Sequence, residues 1–288
     1  MYVFSFCLYG PSNPRYYPGL LENIDLVAQY FPDWKVYIYV APDVDPDMIE
    51  TLAARPTVVL RETNITGERN MIHRFYAIDE PEVDLMMVRD ADSRIHWKDR
   101  WAIRDFLRRP HYHAHAIRDS PMHKSEMLGG LWGIRKSAGL NIRDLYSTYV
   151  QDMRAGPRNG HDQCFLTDVV YPLVRTGLLV HYSCGQFLRL EAAVEFPFEG
   201  WADDHYFCGA VVLGPFVDIP EPPAARRVVK TAVGPFAIPR RDTAEATHSV
   251  MYPPLTMAPP DPQLAALVTS TAYRSGSVPT IVNLLRRR

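Results

Sequence analysis

Apolar and polar positions along this chain follow two alternating periods. Short runs dominated by apolar, β-branched and aromatic residues, VFSFCLY (3–9), KVYIYVA (35–41), TVVLRE (57–62) and VDLMMVR (83–89), are separated by stretches whose apolar residues recur every three or four positions. The runs read as strands buried on both faces and the intervening stretches as helices that cover them, which predicts an α/β domain with a largely parallel sheet. Leu20, Leu21, Ile24, Val27, Ala28 and Phe31 share one helical face behind Pro18, a residue that suits a helix start. Further helices are expected over 46–54, 98–109, 142–153 and 162–174, with a polar, partly helical segment leading to Arg74. Further strands are expected over 113–119, 129–136 and 177–183, the last closing the regular part. Beyond Gly214 the texture changes: 12 of the 25 prolines fall in the remaining residues, a composition that disfavours regular sheet. The expected organisation is a domain over 1–214 and an irregular proline-rich extension over 215–288 that packs on the domain or mediates association, self-association included. There is no internal repeat.

The 288 residues are enough to bury a sizeable core. A formal charge of −2 supplies no electrostatic grip on nucleic acid or an anionic membrane, so neither is an expected partner. The apolar opening MYVFSFCLYG stops at Gly10 and Pro11, too early for a membrane span and without a basic leader, so it reads as a strand and no transmembrane segment is expected. Cys7, Cys164, Cys184 and Cys208 show no C-x-x-C pairing and stand in apolar stretches, which predicts reduced, buried thiols in a cytoplasmic protein.

The candidate chemistry begins where LMMVR runs into Asp90, Ala91 and Asp92. Strands of an open α/β sheet present their carboxyl ends to a common crevice where ligands bind. Two carboxylates at i and i+2 can point to one side there and offer hard oxygens to Mg2+ or Mn2+, with positions left for diphosphate oxygens. The competing reading of such a pair is a capped turn. VDLMMVRDADSR, with RFYAIDEP ahead of it and GGLWGIRK and HDQCFL behind, resembles glycosyltransferases of the GT-A fold, in texture the small bacterial and giant-virus sugar transferases, over about residues 3–190.

The resemblance implies a Rossmann-like, mostly parallel sheet flanked by helices, and a nucleotide-sugar site. Asp90 and Asp92 match the D-x-D that holds the metal, Asp90 lying nearer the ribose. Leu8, Tyr9 and Gly10 match the strand exit that passes under the base, and Arg74 a basic donor contact. Gly129 and Gly130 let backbone approach a ligand, and Trp132 offers a flat face to a sugar; a glycine bulge beside a buried Trp is the alternative. His161 and Asp162 stand at a helix start, where Asp162 is either an N-cap or a catalytic carboxylate. His181 and His205 are both candidates to complete the metal site, and Trp201, Asp203, Asp204 and Tyr206 to wall the acceptor. His111, His113 and His115 alternate on one strand, a spacing ill suited to tetrahedral zinc.

The expected activity is metal-dependent transfer of a sugar from a nucleoside diphosphate donor, UDP-linked, to a hydroxyl of a glycan or similar acceptor. Two other readings compete. A D-x-D phosphatase or phosphotransferase normally carries its motif on the first strand, and Arg94 stands where that motif has Thr or Val. A degenerate domain acting as a carbohydrate-binding module need not keep both acids.

Overall fold

The structure, a computed structural model, describes residues 1–151, 160–183, 191–196, 207–212, 214 and 216. Among the described residues eight strands form one sheet in the order β3-β2-β1-β4-β6-β5-β7-β8. They are β1 (Tyr2–Leu8), β2 (Lys35–Val40), β3 (Val58–Glu62), β4 (Leu85–Arg89), β5 (Ala114–Arg118), β6 (Leu131–Arg135), β7 (Leu178–Tyr182) and β8 (Ala192–Glu195). Only β6 runs against its neighbours, pairing antiparallel with β4 and β5; the other pairs are parallel. The α/β, mostly parallel sheet expected from the alternation is therefore present, with one reversed strand at its centre.

Helices α1 (Tyr16–Tyr30), α2 (Pro46–Ala53) and α3 (Trp97–Leu107) cover one face. Leu20, Ile24 and Val27 of α1, Met48 and Leu52 of α2, and Ile103 and Phe106 of α3 pack with Phe4, Phe6, Leu8, Val36, Ile38, Val40, Leu85 and Met87 in one core. The alternate strand residues Val3, Cys7, Tyr37, Tyr39, Met86 and Val88 are buried too, facing the other way. On that side a run of 3-10 turns over Gly67–Asp79 lies against β1, β2 and β4. Burial on both faces is the physical reason the strands read as near-continuous apolar runs.

Helices α4 (Ile142–Gln151), α5 (His161–Phe165) and α6 (Tyr171–Val174) follow the sheet's reversal. The single helix expected over 162–174 is divided by a π turn at Leu166–Val170. Pro172 has no N–H to donate and its ring crowds the carbonyl four residues back, so a widened turn relieves the conflict. The sheet also continues past residue 183, because β8 adds to the edge at β7. Cys7 and Cys208 are buried free thiols as expected, whereas Cys164 is exposed on the outer side of α5; Cys184 lies outside the described residues. So does the extension over 215–288, Phe216 excepted.

β1 connects through α1 to β2 on one side, while β4 returns to its other side. The crevice between the carboxyl ends of β1 and β4 is thus the point where the winding direction changes, the place where sheets of this kind bind ligands.

Candidate active site

A cavity of about 250 Å3 opens at that crevice. It is lined by Cys7, Leu8 and Tyr9 from the end of β1, by Asp90, Ala91 and Asp92 from the end of β4, by Met71 and Arg74 from the 3-10 run, and by Arg15 and Tyr16 at the start of α1. Gly209 and Val211 complete the wall. Of the residues expected at a donor site, Leu8, Tyr9, Arg74, Asp90 and Asp92 meet here.

Arg74 organises the floor. Its Nη1 donates to Asp90 Oδ1 at 2.6 Å and its Nη2 to Asp162 Oδ2 at 3.0 Å, so one buried guanidinium bridges two acids. Burial raises the Asp90 carboxyl above its ordinary range; Arg74 pulls it back, and Asp92 and Asp162 add to the rise. Cys7 Sγ lies 3.9 Å from Arg74, and burial pushes its thiol up to about 11, which makes it an unreactive wall rather than a nucleophile.

Asp92 has its own cation. Arg15 Nε donates to Asp92 Oδ2 at 2.6 Å and its Nη2 meets the same oxygen. Three carboxylates, Asp90, Asp92 and Asp162, thus face two guanidiniums, which leaves the cluster one negative charge in excess. Arg15 was not expected at the site: it precedes a helix as one basic residue in a loop. The flanking Arg89 and Arg94 turn away, Arg89 to Asp99 at 2.9 Å and Arg94 to Glu22.

The glycines act through the acids. A Cβ on Gly130 would collide with the Asp90 carboxylate, and one on Gly129 would lie 2.8 Å from Arg74 Nη2 and 3.2 Å from Asp162 Oδ2. Neither lines the cavity; both let the approach to β6 close against the acid–arginine chain. Gln163 fixes this approach, accepting from Gly129 N at 3.1 Å and donating to Met127 O. Gly10 takes a left-handed φ of 76° at the strand exit, and its carbonyl accepts from the Tyr17 hydroxyl at 2.8 Å, so it shapes the turn.

Several expectations need correction. Trp132 is fully buried, edge-to-face on Phe75 with centroids 5.1 Å apart, and has no face open to a sugar. Asp162 is not an N-cap: Gly160 holds that position, and the Asp162 carboxylate goes to Arg74. His161 is buried with Nδ1 at 2.7 Å from the Tyr146 hydroxyl, and does not line the cavity. His181 stands between His115 and Asp105, its ring nitrogens 2.9 and 3.0 Å from them, and so does not complete a metal site with Asp90 and Asp92. His111 and His113 do not join it: His113 contacts Ser137 and His111 packs on Tyr112. His205, Trp201, Asp203, Asp204 and Tyr206 lie outside the described residues.

The wall formed by residues 207–212 carried no motif in the sequence. Val212 N donates to the Asp92 carbonyl at 2.9 Å, Cys208 N donates to Asp119 Oδ2 at 2.9 Å, and Gly209 turns through a φ of 82° against Leu131. His96, Asp99 and Cys208 form a buried trio with ligand atoms within 4.8 Å of one another. Each group already has a place in the fold. His96 caps α3 through Nδ1 and bonds the Phe207 backbone, while Asp99 closes the capping box and pairs with Arg89. The trio pins the wall; the hard-oxygen donors for a divalent cation are Asp90 and Asp92, which face one cavity from one strand end and fit Mg2+ or Mn2+ in type and charge.

No family model and no curated protein matches the sequence. Solved structures show distant likenesses. A glycosyltransferase involved in glycosylation of the major capsid of PBCV-1 is 14% identical with a TM-score of 0.43, over 63% of this chain and 81% of that one. A mannosyltransferase from Pyrobaculum calidifontis, solved with GDP-Man and Mn2+, is 15% identical with a TM-score of 0.39, over 61% and 52%. A 4-diphosphocytidyl-2C-methyl-D-erythritol synthase from Anaerococcus prevotii is 11% identical with a TM-score of 0.43, over 63% and 86%. Likeness at this level assigns no activity. Among the described residues no helix is long and apolar enough to cross a membrane.

Proposed function

We propose that the protein is a glycosyltransferase that takes a nucleoside diphosphate sugar, UDP-linked, and moves the sugar to a hydroxyl of a glycan or similar acceptor with the help of Mn2+ or Mg2+. The observation that carries this reading is the pair Asp90 and Asp92 at the end of β4, facing one cavity at the change of winding, with Arg74 and Arg15 beside them. Hard-oxygen acids with guanidiniums beside them in one crevice suit a ligand that carries both a diphosphate and its cation. The motif stands on the fourth strand along the chain, unlike the first-strand placement that a D-x-D phosphatase needs.

Asp90 and Asp92 would hold the cation, which when bound compensates charge developing on the leaving diphosphate. Arg74 keeps Asp90 oriented, and Asp162 in turn keeps Arg74 in place; with its carboxylate taken by that guanidinium, Asp162 serves as a positioning residue in this reading. Leu8 and Tyr9 border the nucleoside end, where the apolar side chain and the half-buried ring favour a flat base.

Thermal-shift measurement with UDP, GDP and CDP, each with and without Mn2+, tests the reading. A ligand at a hundred times its Kd that binds only the folded state adds about 2.7 kcal/mol of stability. Stabilisation by UDP that requires Mn2+, together with UDP-sugar hydrolysis suppressed by EDTA, is the expected result. A preference for GDP overturns the uridine assignment alone, and no stabilisation by any of the three overturns the transferase reading.

A further inference from the structure

The two arginines of the cavity are held in different ways. Arg74 has only 7% of its side chain exposed and is tied at both ends, to Asp90 and to Asp162. Arg15 has 44% of its side chain exposed, and Asp92 is the one carboxylate it meets among the described residues. The guanidinium carbon also lies 5.4 Å from the centroid of the Tyr16 ring. One cation is built into the floor; the other reaches it from a half-exposed side chain.

What Arg15 occupies is the group the proposed cation needs. Nε and Nη2 both address Asp92 Oδ2, while the Asp92 side chain is only 9% exposed and its carbonyl is held by Val212 N. A guanidinium and a divalent ion on one carboxylate oxygen would repel at short range in a partly enclosed site, so the two compete. The vacating side chain has an acceptor at hand, because it lines the same cavity as Asp90 and Arg74, and a planar guanidinium pairs with phosphate oxygens as well as it does with a carboxylate.

We propose that Arg15 is the exchangeable counter-ion of Asp92: it neutralises that carboxylate until a divalent cation takes its place, and the freed guanidinium then pairs with the diphosphate of the donor. The proposal rests on the reading that Asp92 holds the cation. It makes Arg15 a donor-binding residue whose two partners come at different stages. It also explains how a cavity lined by Asp90 and Asp92 can accept a dianionic diphosphate: loading the cation releases one arginine for the ligand.

Calorimetry on the full-length protein separates the two roles, with circular dichroism to establish that each variant is folded. In Arg15→Ala the affinity for Mn2+ alone rises roughly fivefold, the worth of a part-exposed ion pair removed as competitor. In the same variant the affinity for UDP at saturating Mn2+ falls about tenfold, the lower range for a lost charge-assisted bond. Arg15→Lys restores the Mn2+ affinity towards wild type and recovers part of the UDP affinity. These changes have opposite signs, whereas a purely structural arginine would lower both affinities together. If Asp92→Asn loses Mn2+ binding but Arg15→Ala binds Mn2+ as wild type does, the exchange is overturned and the metal reading stands. If wild type and Asp92→Asn bind Mn2+ alike, the metal reading falls and the exchange with it.

Discussion

Gly130 and Asp162 both bear on Asp90, one by contact and the other through Arg74. A Cβ at Gly130 would collide with the Asp90 carboxylate, a side chain with room to rotate into the cavity. Gly130→Ala is therefore expected to displace Asp90 and weaken Mn2+-dependent UDP binding roughly tenfold, as losses around a metal ligand do. The accompanying loss of stability should stay within about 1–3 kcal/mol, the range for overpacking by one methyl. Wild-type affinity in this variant would mean that Asp90 does not depend on the glycine. Asp162→Asn removes one of the two charges on Arg74 but keeps its shape. If Asp162 positions Arg74, the change raises the donor KM and leaves kcat within about tenfold of wild type. A fall in kcat of roughly 10²–10⁴-fold with unchanged KM would instead assign it proton transfer. D-x-D and the paired glycines were legible as residue types; which atoms each one meets was not, since Asp90 and Gly130 come together through β4–β6 pairing.

At the scale of elements, α1 determines where the acids stand. Gly19 approaches so closely that a Cβ would collide with the Ala91 carbonyl, between the two aspartates. One turn later Asn23, fully buried, donates to Ser93 O at 2.7 Å and accepts from Ile95 N at 2.9 Å, closing the loop after β4 onto the helix. Asn23→Ala leaves Ile95 N without its acceptor and Ser93 O with Arg94 Nη1 alone, and is expected to cost about 1–3 kcal/mol. Urea unfolding should show it, and a loss under 0.5 kcal/mol would mean that water replaces the amide. The periodicity of α1 was readable because Leu20, Ile24 and Val27 must all face the core. Asn23 lies among them as a polar residue at a core position, a signal of buried hydrogen bonding that the sequence offered and that the pattern of apolar residues passed over. The π turn and β8 were missed for another reason: a four-residue strand and a widened turn leave too short a period to read.

Across the whole molecule, buried histidines link stability to pH. His96, His115, His161 and His181 are all held below the usual imidazole range, chiefly by burial, and burial brings His123 down to about 4 despite the nearby Asp119. His123 Nδ1 accepts from Asp119 N at 3.0 Å, which requires that nitrogen to be unprotonated. A folded pKa below the unfolded 6.5 means that the unfolded chain binds more protons between about pH 6.5 and 4. Stability is therefore full above that window and is lost as pH falls through it. His123 alone accounts for roughly 3 kcal/mol between pH 7 and pH 4. Urea midpoints measured from pH 7.5 to 4 should fall steeply below 6.5, and His123→Asn, whose carbonyl replaces the accepting nitrogen, should flatten the fall. A pH slope unchanged by this variant would place the titration elsewhere.

The alternation of apolar runs and amphipathic stretches was enough to reach an α/β, mostly parallel sheet and to place Asp90 and Asp92 at a strand end. Such patterns are local: each residue's position reports whether its own side faces core or solvent, and a strand buried on both sides cannot avoid an apolar run. The pairings that make the site are not local. Arg15 meets Asp92 across 77 positions and Arg74 meets Asp162 across 88, and the chain contains 31 Lys and Arg to set against 33 Asp and Glu. Charge and type are nearly the same for all of them along the sequence. Only the return of β4 beside β1, the reversal of β6 and the wall of residues 207–212 bring these few within hydrogen-bonding reach, because the strength of such contacts falls away over a few ångströms.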